Sequence, residues 1–125
     1  MAKSKNSELR IGVIGAGGRG RLAWNAHQPE NGVRLVAGAD ISDKALDALK
    51  EKFGPDTFVT KDYRKLLDRK DIDAVFVTSP DFLHEEHAFA ALEAGKHVYL
   101  EKPMTITIAG CDRVLDAAVR NKRRL

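Results

Sequence analysis

Only one cysteine, Cys111, occurs among the 125 residues. No intramolecular disulfide can form, and a thiol without bridges fits a reducing compartment, read here as the cytoplasm. No apolar run approaches the roughly 20 residues that a membrane helix needs, so no membrane partner is expected. Residues 1–8 have no apolar stretch of the signal-peptide kind and read as a short disordered tail. Aromatic residues are scarce at 6%, which leaves no stacking platform for single-stranded nucleic acid. The net charge of +3 is concentrated at the ends, in Lys3 and Lys5 and in Arg120, Lys122, Arg123 and Arg124. Charge at chain ends is solvated, so no nucleic-acid partner is expected. Internal repeats and low-complexity segments are missing too. With 43% hydrophobic and 31% charged residues, the composition is that of one globular domain.

What is present is organised around Leu9 to Gly20, L-R-I-G-V-I-G-A-G-G-R-G. An apolar strand stops abruptly in glycines. Gly15, Gly17 and Gly20 follow the spacing G-x-G-x-x-G, which a strand turning directly into a helix produces. Gly15 permits the tight turn, Gly17 allows a pyrophosphate to approach the backbone, and Gly20 lets the helix sit against the strand. The N–H groups at the helix start would face the phosphates. Alone this spacing is a weak signal, and the residues after it decide its meaning.

The pattern predicts a helix from the glycines to about Gln28, carrying Trp24 and His27 as packing residues. A strand over Val33 to Ala39 delivers Asp40 at its end. An acid about 20 residues beyond the last glycine is where a dinucleotide fold holds the adenosine ribose. A carboxylate there repels a 2′-phosphate, which favours NAD; Ser42 and Lys44 keep NADP as the minor alternative. A helix over about Asp43 to Phe53 follows, capped by Ser42 or Asp43. Next come a short strand near Thr57 to Val59, a short helix from Asp62 and a buried strand over Asp73 to Thr78. A helix over Leu83 to Glu93 is closed by Gly95, and a strand over Lys96 to Leu100 follows. The last helix, Thr107 to Asn121, has Ile108, Cys111, Leu115 and Ala118 at helical spacing, which predicts a buried stripe with Cys111 as a small hydrophobe. The alternation predicts an α/β fold of the Rossmann type, a doubly wound parallel sheet with right-handed crossovers.

Ligands of such sheets bind beyond the C-terminal strand ends. Three polar tips share that rim: the glycine loop with Asp40, the segment Thr78-Ser79-Pro80-Asp81-Phe82-Leu83-His84, and Glu101-Lys102-Pro103. A lysine beside an acid at a strand tip suits proton transfer, although the pair also reads as a surface charge pair.

These motifs resemble the nucleotide-binding domain of the glucose–fructose oxidoreductase / inositol dehydrogenase / rhizopine catabolism (Gfo/Idh/MocA) family. The residues that carry the resemblance are I-G-V-I-G-A-G-G-R-G at 11–20, Asp40, T-S-P-D-F-L-H at 78–84 and A-L-E-A-G-K-H-V-Y-L-E-K-P-M at 91–104. The resemblance covers nearly the whole chain after the tail. It implies that Gly15, Gly17, Gly18 and Gly20 cradle the pyrophosphate, with Arg19 pointing either to it or to solvent, and that Asp40 holds the ribose. It implies that Thr78, Ser79, Pro80 and His84 line the nicotinamide side and that Glu101 contacts the nicotinamide riboside. Lys102 would touch both cofactor and substrate and act as the catalytic residue in proton transfer. It also implies a cis Lys102–Pro103 peptide. At 81 the family pattern often has asparagine, and Asp81 puts one hydrogen bond there in question.

By the same resemblance, a second α+β domain would supply the substrate pocket and a histidine acid/base. That domain is expected to be absent from this chain, since His27, His84, His87 and His97 do not occupy the position of that base. The implied function is hydride transfer between a sugar- or polyol-like alcohol and NAD, with the fragment largely inactive alone. An NAD-requiring glycosidase of related fold and a non-catalytic dinucleotide-binding module are the alternatives. No metal site is expected, and an exposed sheet edge would favour a homo-oligomer.

Overall fold

The computed structural model describes residues 8–125. The expected tail lies outside the described residues up to position 7. Glu8 is already engaged, with its carboxylate 2.9 Å from Arg10 and 3.2 Å from Arg34.

Five strands form one sheet in the order β3-β2-β1-β4-β5, every neighbouring pair parallel. They are β1 (Leu9–Ile14), β2 (Val33–Ala39), β3 (Phe58–Thr60), β4 (Ala74–Val77) and β5 (His97–Leu100). The central strands are apolar on both faces because both are covered. On one face Ile11, Val13 and Leu35 of the sheet pack with Ala23 of the helix that follows β1 and Leu49 of α1 (Asp43–Phe53). On the other, Ile14, Val75 and Val77 of the sheet pack with Leu66 of α2 (Tyr63–Leu67), Leu92 of α3 (His84–Glu93) and Val114 of α4 (Ile108–Asn121). The order reverses at β1, whose neighbours β2 and β4 lead away in opposite directions, and this opens a crevice at their C-terminal ends.

Local chemistry explains the element ends. Ser42 caps α1 by accepting from Ala45 N, and Thr107 caps α4 by accepting from Gly110 N. Gly95, at φ +81°, closes α3, with Gly95 N bonded to Leu92 O and Lys96 N to Ala91 O, a Schellman stop. Buried Lys96 donates from Nζ to Arg69 O at 2.6 Å and Ile72 O at 2.9 Å, tying the loop before β4 to the start of β5. After α4 the chain turns back, and Val98 N donates to Arg124 O at 2.9 Å along the open edge of β5.

Three expectations need correction. The helix after the glycines is a 3₁₀ helix, Gly18–Ala26, and Pro29–Asn31 forms a separate short turn of the same kind. With three residues per turn, Gly20, Ala23 and Ala26 fall on one face. These small residues let the helix lie close on the sheet; Gly20 and Ala23 are buried and Ala26 is partly so. The stripe on α4 is also displaced. Gly110, Val114, Ala117 and Ala118 face inward, while Ile108 is 83% and Leu115 50% exposed. Cys111 is only half-buried, its Sγ 3.3 Å from the Thr105 hydroxyl. Finally, α3 begins one residue late, after a 3₁₀ turn over Asp81–Leu83.

Candidate functional site

The four glycines of the loop serve different ends. Gly15 has φ +86°, and a Cβ there would strike the Ser79 backbone. A Cβ on Gly20 would strike the Gly15 carbonyl. Both are therefore required by the packing of β1 against the β4 tip and the 3₁₀ helix. Gly17 differs: its φ of −87° suits any residue, and a Cβ would meet only Ala45 Cβ at 3.5 Å and Asp40 Oδ2 at 3.9 Å. Gly18, at φ +48°, has nothing within 4 Å of such a Cβ. The open space above Gly18, next to Gly17, lies beside the first N–H groups of a helix, a cradle suited to phosphate oxygens. Arg19 is exposed at its edge.

The loop is held by its neighbours. Thr78 is buried and donates from Oγ1 to Gly15 O at 2.8 Å. Asp40 links β2 to the loop, its Oδ2 accepting from Gly17 N at 3.2 Å and its Oδ1 from Ser42 N at 2.8 Å. Gly15, Asp40, Ser79 and Pro80 share a cavity of about 220 Å³ with Ile41, Lys61, Tyr63, Phe82, Leu83 and His87. Its wall is largely apolar. Ile41 and Phe82 stand at its mouth, 88% and 69% exposed, apolar lips on either side of a slot.

His84 is not on the surface of this site. It is 1% exposed, with Nδ1 2.6 Å from Pro103 O and Nε2 2.8 Å from Ser79 O. Both ring nitrogens are spent on backbone carbonyls, so His84 clamps the tip of β4 to the tip of β5. Thr78 is likewise a buried support, and Ser79 and Pro80 line the cavity that contains Asp40. His87 was not singled out by sequence: the Ser79 hydroxyl lies 2.7 Å from its Nδ1. Burial pushes the His87 imidazole below its ordinary range, which favours the neutral ring beside that hydroxyl. Its position one turn after His84 on α3 was the available signal. Sequence placed Phe82 on the rim only as part of the Thr78–His84 segment and gave Ile41 no role; the signal for Ile41 was an apolar residue two positions past the end of β2.

The β5 tip carries Glu101, half-exposed, and Lys102, exposed. Glu101 Oε1 accepts from Lys102 N at 2.9 Å, and the Lys102–Pro103 peptide is cis. No cluster of metal-binding side chains occurs among the described residues.

The reversal of strand order at β1, the open glycine cradle and an acid at the tip of β2 define a dinucleotide-binding domain of the Rossmann type. Residues 9–125 match the model of the Gfo/Idh/MocA oxidoreductases, described as an oxidoreductase family with an NAD-binding Rossmann fold, and the chain belongs to that family. An inositol 2-dehydrogenase of Agrobacterium fabrum is 36% identical over 118 residues, covering 94% of this chain and 35% of the relative. The WlbA dehydrogenase of Chromobacterium violaceum, solved with NADH and UDP-GlcNAcA, superposes with a TM-score of 0.88 at 26% identity, over 98% of this chain and 35% of that one. A single-residue variant of KijD10, a 3-ketoreductase of Actinomadura kijaniata solved with TDP-benzene and NADP, superposes with a TM-score of 0.80 at 33% identity, over 94% and 36%. The chain thus spans about a third of the length of these relatives.

Proposed function

We propose that this chain is the cofactor domain of an enzyme that moves hydride between an alcohol carbon of a sugar- or polyol-like substrate and nicotinamide, with NAD as the working cofactor. The observation that carries the reading is the glycine pair at the helix start: a Cβ on Gly18 would meet nothing within 4 Å and one on Gly17 only ordinary contacts, so packing within the protein demands neither glycine. Gly15, Gly17, Gly18 and Gly20 shape the pyrophosphate cradle, and Asp40 holds the adenosine ribose. The apolar slot between Ile41 and Phe82 takes the base. Asp40 favours NAD because a carboxylate repels a 2′-phosphate.

Bound nicotinamide would supply the hydride acceptor. Lys102 takes the proton of the hydroxyl being oxidised, and Glu101 orders the tip by binding its N–H. His84 keeps that tip in register with Ser79. The inositol dehydrogenase relative supports a polyol substrate. Little turnover is assigned to these 125 residues alone. A cytoplasmic location fits the single thiol. Self-association is supported by exposed Tyr99, Ile108, Leu115 and Val119; no nucleic-acid partner is proposed.

A fluorescence titration tests the reading. NADH emission should rise on binding and fall when ADP-ribose displaces it. A folded chain on which ADP-ribose leaves the NADH signal untouched would overturn it.

A further inference from the structure

A second cavity, of about 550 Å³, opens at the other end of the sheet. Arg10 near the start of β1 and Arg34 near the start of β2 both line it. The nucleotide crevice lies at the opposite ends of the same parallel strands, and the stretch of strand from Arg10 to Gly15 spans about 17 Å. Lys52, Arg69 and His27 line the cavity as well.

The cations here outnumber the acids. Arg10, Arg34 and Arg69 share two carboxylates, Glu8 and Asp71, at 2.9 to 3.3 Å. Arg34 holds the Glu8 carboxyl, and Arg69 the Asp71 carboxyl, below the ordinary range. Neither acid lines the cavity, whose wall carries the single carboxylate of Asp56. Lys52 has no carboxylate within ion-pair distance among the described residues; its ammonium stands 5.9 Å from the centre of the Trp24 ring. His27 adds a neutral donor. Its Nδ1 accepts from Leu35 N at 3.0 Å, so the uncharged ring carries its proton on Nε2.

Guanidinium groups match the oxygens of phosphate and carboxylate. A phosphate monoester brings about two charges and three acceptor oxygens, enough to engage more than one of these arginines, and a carboxylate brings less of both. Leu35, Val36 and Phe53 give the same cavity an apolar part. A chamber of this volume with convergent donors and apolar wall suits a whole small molecule rather than one ion. We propose that this cavity binds a small organic phosphate, at a site separate from the nucleotide crevice.

Calorimetric titration of the 125-residue chain with phenyl phosphate tests this, with inorganic phosphate and benzoate as its two half-ligands. Phenyl phosphate should saturate at one site per chain, at least about tenfold tighter than either half-ligand. Saturating NADH should leave that binding in place. Arg34→Ala and Lys52→Ala should each weaken it about tenfold, the loss expected for one charge-assisted contact, and change NADH affinity less than about twofold. Unfolding midpoints should not move. Lys52 is exposed, so its variant decides the matter even where loss of the Glu8 pair unfolds Arg34→Ala. No saturable binding to the folded chain would overturn the proposal. So would displacement by NADH, which puts the phosphate in the glycine cradle, or unchanged affinity in Lys52→Ala. Benzoate or inorganic phosphate binding as tightly as phenyl phosphate would overturn the assignment to an organic phosphate. A chain that binds phenyl phosphate through Lys52 but takes no NADH supports this site and removes only the nucleotide reading.

Discussion

At the scale of single residues, the glycine motif separates into structural and functional members. Gly20→Ala forces a methyl group into the Gly15 carbonyl. Such overpacking costs about 1–3 kcal/mol, which a urea titration would register as a lower midpoint. Gly17→Ala meets only ordinary contacts and should leave the midpoint within about 0.5 kcal/mol of the parent. Its cost should appear only in nucleotide affinity. Spacing alone could not tell the two apart, since both read as small residues in a turn. The distinction depends on what lies opposite each Cα in space.

Two histidines give a residue-scale pH dependence. Burial holds His27 and His87 below the ordinary imidazole value of 6.5. His27 Nδ1 accepts from Leu35 N at 3.0 Å, and His87 Nδ1 lies 2.7 Å from the Ser79 hydroxyl. Protonation removes the His27 acceptor and places a charge on the buried His87 ring. The unfolded chain therefore binds more protons in the window below 6.5, and the stability these rings contribute is complete above it and lost as pH falls through it. Denaturant midpoints should drop from about pH 8 to about pH 5.5, and His87→Gln should flatten part of that slope. An unchanged slope in the variant would remove His87 from the account.

At the scale of elements, the α/β alternation was readable because α1, α2 and α4 open on side-chain caps and α3 closes on a glycine. Ser42, Thr107 and Gly95 do in the structure what their residue types suggest. The misplaced face of α4 has a physical cause. The large apolar residues of α4 dominate its sequence pattern, yet α4 packs closely on α3 and its inner face is made of Gly110, Val114, Ala117 and Ala118. Close helix contact selects small side chains, so the bulky Ile108 and Leu115 stand outside. Val114→Ala should cost on the order of 2 kcal/mol, and Leu115→Gln less than about 0.5 kcal/mol. Equal losses in urea unfolding would contradict this assignment of faces. The 3₁₀ winding after β1 was equally hidden. Its cause is the three-residue spacing of Gly20, Ala23 and Ala26, a pattern that only matters once the sheet beneath it is known.

At the scale of the whole molecule, one topological feature organises the site. The sheet reverses at β1, and the tips of β1, β2 and β4 meet around Gly15, Asp40 and Ser79. Those residues were legible because each carries a constraint visible in one dimension: a glycine spacing, an acid at a fixed offset, a proline ending a strand. The clamp by His84 and the lips formed by Ile41 and Phe82 were not, because their roles depend on partners far away along the chain. His84 shows the difference most plainly, since its motif placed it at the site and the fold buries it beneath.

The central claim is that the space beside Gly17 belongs to a dinucleotide. Calorimetry with NADH on the parent chain and on Gly17→Ala, with unfolding midpoints recorded on the same samples, tests it most directly. The account predicts saturable binding at one site on the parent and an affinity at least about tenfold lower in the variant, a loss of about 1.4 kcal/mol, at an unchanged midpoint. Equal affinity in two equally stable proteins would contradict it.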